Sequence, residues 1–113
     1  MSQQRSRYGG GPTANKLDER VVMAVLMIGE VPNLTEDVYG SMIEHLKPTM
    51  ESAPGFIAHS GGPLSDGSGW RVVEMWESEE QSEQWFEANV RPNLPPGIVP
   101  NRSYSPLHTA FAV

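Results

Sequence analysis

Three histidines, one isolated glutamate and a pair of tryptophans hold most of the chemistry that this chain could perform. His59 stands in "FIAHS", a run of otherwise apolar or small residues. Imidazole is the side chain best suited to pass a proton near neutral pH, so His59 is the first candidate for acid–base work. The same setting also suits a core histidine bonded to the backbone. His108, in "SPLHTAFAV", is the second candidate, while His45, beside Glu44 and Lys47, reads as an exposed helical residue. Glu74, inside "WRVVEMW", is unusual because carboxylates are rarely set among apolar neighbours. It reads either as a proton-transfer group or as the ion-pair partner of Arg71, Arg91 or Arg102. Tyr39 and Tyr104 could each donate to a substrate oxygen, or simply pack with the hydroxyl in water. Trp76, Trp85 and Phe86 either fill a core or line a pocket. No histidines show HxH or HExxH spacing, so a metal site is not expected, and the absence of cysteine excludes thiol chemistry.

These residues need a scaffold, and the hydrophobic pattern supplies one. Val21–Ile28 is a continuous apolar run of strand length, apolar on both faces as a central strand would be. Gly29 and Pro32 should end it. Thr35 then suits a helix N-cap, with Glu36 and Asp37 in the first turn and Val38, Tyr39, Met42, Ile43 and Leu46 at helical spacing. Pro48 should kink or end that helix. Phe56–Ser60 and Trp70–Glu77 read as a hairpin around the turn-rich "GGPLSDGSG". The glycines there lack the Lys-Ser/Thr ending and following helix of a phosphate loop. Ser78 and Gln81 form a capping box for a second helix with Trp85, Phe86 and Val90 on its buried stripe, ended by Pro92. Residues 102–113 alternate as a last strand, with Pro106 favouring an edge. The order βαββαβ is that of a ferredoxin-like α+β fold, a four-stranded antiparallel sheet with both helices on one face. The other face is apolar and uncovered within the chain, so a second copy is expected to cover it and make a homodimer.

At 113 residues this is one small domain, with residues 1–18 read as a flexible tail and 19–113 as the folded unit. The net charge is −6 although the first twenty residues are net basic, so the remainder is strongly acidic and unsuited to nucleic acid. No apolar run reaches membrane-spanning length and no secretory signal is evident, so a cytoplasmic location is the expectation.

The stretch "GWRVVEMWES", followed by a capped helix with an aromatic about two turns in, resembles the antibiotic-biosynthesis-monooxygenase-like group of the dimeric α/β-barrel superfamily. "PGFIAHSGGP" and "SPLH" strengthen the resemblance, which covers roughly residues 20–112. It implies two sheets meeting as a barrel at a dimer interface and a cavity in each subunit between sheet and helices. It also implies a small hydrophobic ligand, aromatic or polyketide-like, and most simply a cofactor-independent monooxygenase. In that setting His59 transfers protons, His108 assists, and Trp76, Trp85, Phe86, Tyr39, Glu74 and Tyr104 shape the pocket. A polyketide cyclase or isomerase on the same fold and a non-catalytic ligand-binding or stress protein are the alternatives. The haem-degrading branch is a poor match. Trp85 falls nine residues after the strand-end tryptophan as that branch has it, but Pro95 stands where its histidine ligand would be, and Val21–Ile28 contains no asparagine.

Overall fold

The structure is a computed structural model and describes residues 23–113, so the expected tail and the first residues of the first apolar run lie outside the described part. The elements in order are β1 (Val25–Pro32), α1 (Glu36–Glu51), β2 (Phe56–Pro63), β3 (Gly69–Trp76), α2 (Glu79–Trp85) and β4 (Asn101–Pro106). All strand pairs are antiparallel and the spatial order is β2-β3-β1-β4, the ferredoxin-like arrangement expected from the sequence.

Boundaries differ where local breakers are overruled by the ladder. Gly29 does not end β1, because it sits opposite both Val72 and Arg102 and the strand runs on to Pro32. β2 extends through Gly61 and Gly62 for the same reason, each facing a β3 residue. Pro48 does not end α1: the last turn continues to Glu51, held by Met50, which is buried. The Thr49 and Ser52 hydroxyls donate to the Leu46 and Pro48 carbonyls in that last turn. The last strand stops at Pro106, and beyond it the Leu107 amide still donates to the Ala24 carbonyl.

Both helix starts follow the sequence. The Thr35 hydroxyl accepts from the Val38 amide at 3.3 Å, and the Ser78 hydroxyl accepts from the Gln81 amide at 3.1 Å. α2 is short. It passes into a π-helical turn over Phe86–Val90 and a 3-10 turn over Arg91–Asn93, so the regular helix ends well before Pro92. Single π-helical turns are rare and frequently occur at functional sites. Here both Trp85 and Phe86 are buried, although consecutive helical residues point about 100° apart.

The core lies between the helices and one sheet face. Leu46 and Met50 of α1, Trp76 of β3, and Trp85, Phe86 and Val90 form its main cluster, and Val31, Leu34 and Trp70 form a second. On the opposite sheet face, Leu26 pairs with Met75 and Ile28 with Val73, and all four are only partly buried within the chain. Among the described residues, no helix is long and apolar enough to cross a membrane.

Candidate active site

Strand register decides which polar groups meet. His59 on β2 faces Glu74 on β3, which faces Met27 on β1, which faces Tyr104 on β4. The next inward row is Gly61, Val72, Gly29 and Arg102. Polar side chains therefore stand on β2 and β3 to one side and on β4 at the other, with an apolar, partly side-chain-free floor between them. Above that floor is a cavity of about 80 Å³, lined by Met27, Gly29, Val72, Trp85 and Phe86 among others and reached by His59, Glu74, Tyr39 and Arg102. An apolar cavity of about 150 Å³ holds benzene, so an aromatic ring enters this one only if a wall moves. Leu94 and Pro100, from the connector before β4, belong to the wall with the least regular structure.

At the β2 edge a continuous hydrogen-bonded chain runs from helix to core. The Tyr39 hydroxyl lies 2.6 Å from His59 Nε2, His59 Nδ1 lies 2.8 Å from Glu74 Oε2, and Trp76 Nε1 donates to Glu74 Oε1 at 2.8 Å. The direction follows from the inventory of donors. Indole N–H can only donate, so Glu74 accepts there, and a carboxylate accepting from His59 Nδ1–H leaves Nε2 free to accept from Tyr39. Glu74 is 4% exposed and Trp76 is fully buried, so the orienting end of this chain is dry. Burial first, and the Glu74 charge second, push the Tyr39 hydroxyl above its ordinary range, so it stays protonated and remains a donor. The ring packs on Trp70, with centroids 4.9 Å apart, and points its hydroxyl end-on at the His59 imidazole, whose centroid is 6.1 Å away. Gly61 makes this possible: a Cβ on it would stand 2.4 Å from the Tyr39 hydroxyl oxygen.

At the β4 edge, the Arg102 guanidinium stacks 3.8 Å above the Phe86 ring and donates to the Glu83 carboxylate and the Tyr104 hydroxyl. Tyr104 is also bonded to Ser82 and Glu83. Burial, and then its bond to Glu83, push Tyr104 up to about 12. Glu83 is driven upward by burial but held below its ordinary value overall by the Tyr104 and Arg102 hydrogen bonds.

The structure thus joins His59, Glu74 and Tyr39 and sets Trp85 and Phe86 on the same cavity. Trp76 does not line it; this tryptophan fills the core against Phe56 and Trp85 and holds the carboxylate. Tyr104 does not line it either, because its hydroxyl is tied into the Arg102–Glu83 network. His108 lies past the end of β4, exposed, with Nδ1 2.5 Å from the Thr109 hydroxyl, and is not brought to His59 within the chain. The arginines expected for Glu74 are engaged elsewhere: Arg71 with Glu30, Arg91 with Glu87 and Arg102 with Glu83. Arg102 itself is the site residue that sequence reasoning missed as a cavity group. Its signal was the two-residue spacing from Tyr104, which puts both on one face of the last strand. Among the described residues, no three His, Asp or Glu side chains are grouped as a metal would require.

No family model and no curated protein sequence matches the chain. Solved structures do. SnoaB, a cofactor-independent oxygenase from Streptomyces nogalater, superimposes with a TM-score of 0.57 at 10% identity, covering 79% of this chain and 97% of that one. The monooxygenase from the gene ActVA-Orf6 of Streptomyces coelicolor, solved with Nanaomycin D, gives a TM-score of 0.56 at 21% identity, covering 86% and 96%. The heme-degrading protein Rv3592 from Mycobacterium tuberculosis gives 0.53 at 22% identity, covering 78% and 97%. The resemblance read from the sequence is matched by these structures at the level of the fold. At such identities the reaction must be argued from the site.

Proposed function

We propose that this chain is an antibiotic-biosynthesis-monooxygenase-like protein, a homodimer that binds a small phenolic or polyketide-type aromatic and oxygenates it without a cofactor. The observation that supports this reading best is the hydrogen-bonded chain Tyr39–His59–Glu74–Trp76, buried at its Glu74–Trp76 end, beside an apolar cavity. An electron-rich aromatic supplies the electrons for dioxygen itself once it has lost a proton, so the protein has to provide a dry pocket and a proton acceptor. Tyr39 relays the proton: it accepts from the substrate while giving its own to His59 Nε2, and no tyrosinate accumulates. Glu74 then stabilises the imidazolium through Nδ1–H, as a buried carboxylate does behind a catalytic histidine. The deprotonated substrate reacts with dioxygen, and a ring methylene becomes a carbonyl with release of one water.

The homodimer rests on the open sheet face. Leu26, Ile28, Val73 and Met75 form a contiguous apolar patch there, and a second sheet is its economical cover. Haem degradation finds less support, because residue 95 is a proline where that branch carries its histidine ligand.

Because the relay moves protons only, the same geometry would serve a cyclase or isomerase acting through an enolate. Oxygen-electrode measurements with a hydroxyanthrone under air decide between them. Stoichiometric oxygen uptake with quinone formation is the expected result. Conversion that proceeds equally well without oxygen would replace the oxygenase reading with the cyclase one. Binding with no conversion in either atmosphere would leave a ligand-binding protein.

A further inference from the structure

One group on the cavity is not used by the relay. Arg102 lines the cavity wall, its side chain is 11% exposed, and its Nε is buried without a hydrogen-bond partner. The other two guanidinium nitrogens are committed: Nη1 donates to Glu83, and Nη2 donates to Tyr104 at 2.9 Å and to Ser82 at 3.4 Å. Stacking on Phe86 fixes the plane. A buried donor left unpaired in a native site is costly, and arginine cannot lose its proton to relieve that cost. Trp70 Nε1 is the other such donor among the described residues, but Trp70 does not line the cavity.

From this we infer that Arg102 is a specificity-determining residue. Its Nε–H, closed off until the wall moves to admit a ring, then reads a neutral acceptor oxygen, a carbonyl, at the end of the ligand opposite the hydroxyl that meets Tyr39. The inference rests on the proposed pocket and deepens it. Two considerations set the chemistry. His59 and Arg102 stand on the two edge strands, three interstrand spacings or about 14 Å apart at the backbone, so they address opposite ends of one ligand. The guanidinium charge is already balanced by Glu83, and a further buried carboxylate, Glu74, stands on the same cavity. An anionic ligand group would therefore add negative charge with no free cation to meet it, which a dry site disfavours. A neutral carbonyl takes the unpaired donor at no such cost.

The test is a calorimetric titration at pH 7 with three phenols of similar size: 4-hydroxyacetophenone, 4-ethylphenol and 4-hydroxybenzoate. The ketone is expected to bind the native protein about tenfold more tightly than 4-ethylphenol, and the carboxylate no more tightly than 4-ethylphenol. In Arg102→Lys, which keeps the charge for Glu83 but has no N–H at the Nε position, the advantage of the ketone over 4-ethylphenol should fall to within about twofold. Equal binding of ketone and 4-ethylphenol by the native protein would overturn the role of Arg102 and leave the pocket standing. Tightest binding of 4-hydroxybenzoate would overturn the charge argument, and with it the inference. If none of the three binds, the pocket reading and this inference fall together. The comparison among ligands on native protein holds whether or not the variant folds.

Discussion

Gly61→Ala is the smallest change that should switch off the relay. The backbone of Gly61 is ordinary strand, so alanine is conformationally acceptable, but its methyl would lie 2.4 Å from the Tyr39 hydroxyl oxygen and 2.7 Å from Cζ. Restoring van der Waals contact requires the phenol end to retreat by about 1 Å, although the ring packs on Trp70 and points its hydroxyl at His59. Such a retreat stretches the 2.6 Å bond to His59 Nε2 beyond hydrogen-bonding range. A misplacement of about 1 Å in a catalytic group costs on the order of a hundredfold in rate. The stability cost should be smaller, about 1–2 kcal/mol for one part-buried hydrogen bond and some strain. Gly62→Ala is the internal control. Gly62 is next in the same strand, its added methyl would meet nothing within 4 Å, and stability should change by less than about 1 kcal/mol. Turnover of a hydroxyanthrone, urea unfolding, and the ¹⁵N shifts of the His59 imidazole should be measured on both variants. Full turnover in Gly61→Ala with an unchanged imidazole signal would refute the role given to Tyr39.

Three other outcomes follow from the same geometry. Val73→Glu, on the open face, should convert the native dimer to monomer by light scattering; a native protein that stays monomeric at high concentration would remove the dimer. Trp76→Phe should destabilise the fold by about 2–4 kcal/mol in urea, through lost packing and a buried Glu74 oxygen without its donor, whereas Trp85→Phe should weaken ligand binding more than it weakens the fold. Tyr104 is raised to about 12 in the folded chain against 10.0 unfolded, so its contribution to stability is fully present below pH 10 and is lost as pH rises towards 12. Tyr104→Phe should flatten that alkaline loss in pH-dependent thermal melts, and an unchanged slope would deny the coupling.

The strand and helix order was legible because its signals are local: Thr35 and Ser78 cap as their side chains require, and the apolar runs sit where β1 and β3 lie. Breakers misled where strand pairing outweighed them, as at Gly29, and where core burial carried a helix past one, as Met50 does after Pro48. The site was half legible. His59 and Glu74 stood out as polar residues in apolar strands, but their pairing depends on register between β2 and β3, which includes an irregularity between Phe56 and Ala58. No local pattern reveals that register, so arginines were expected where the histidine is. Tyr39 reaches the histidine only because Gly61 has no side chain, a contact between residues far apart in sequence. His108 was misplaced because alternation beyond Pro106 looks like strand without being paired as one.

The most direct measurement of the central claim is oxygen uptake by His59→Ala with a hydroxyanthrone, alongside its affinity for the same compound. His59 Nε2 is where the relay delivers the proton, so kcat should fall by about a hundredfold or more while binding changes little and the fold persists. Native-level oxygen uptake in a stable His59→Ala protein would contradict the relay and the function built on it.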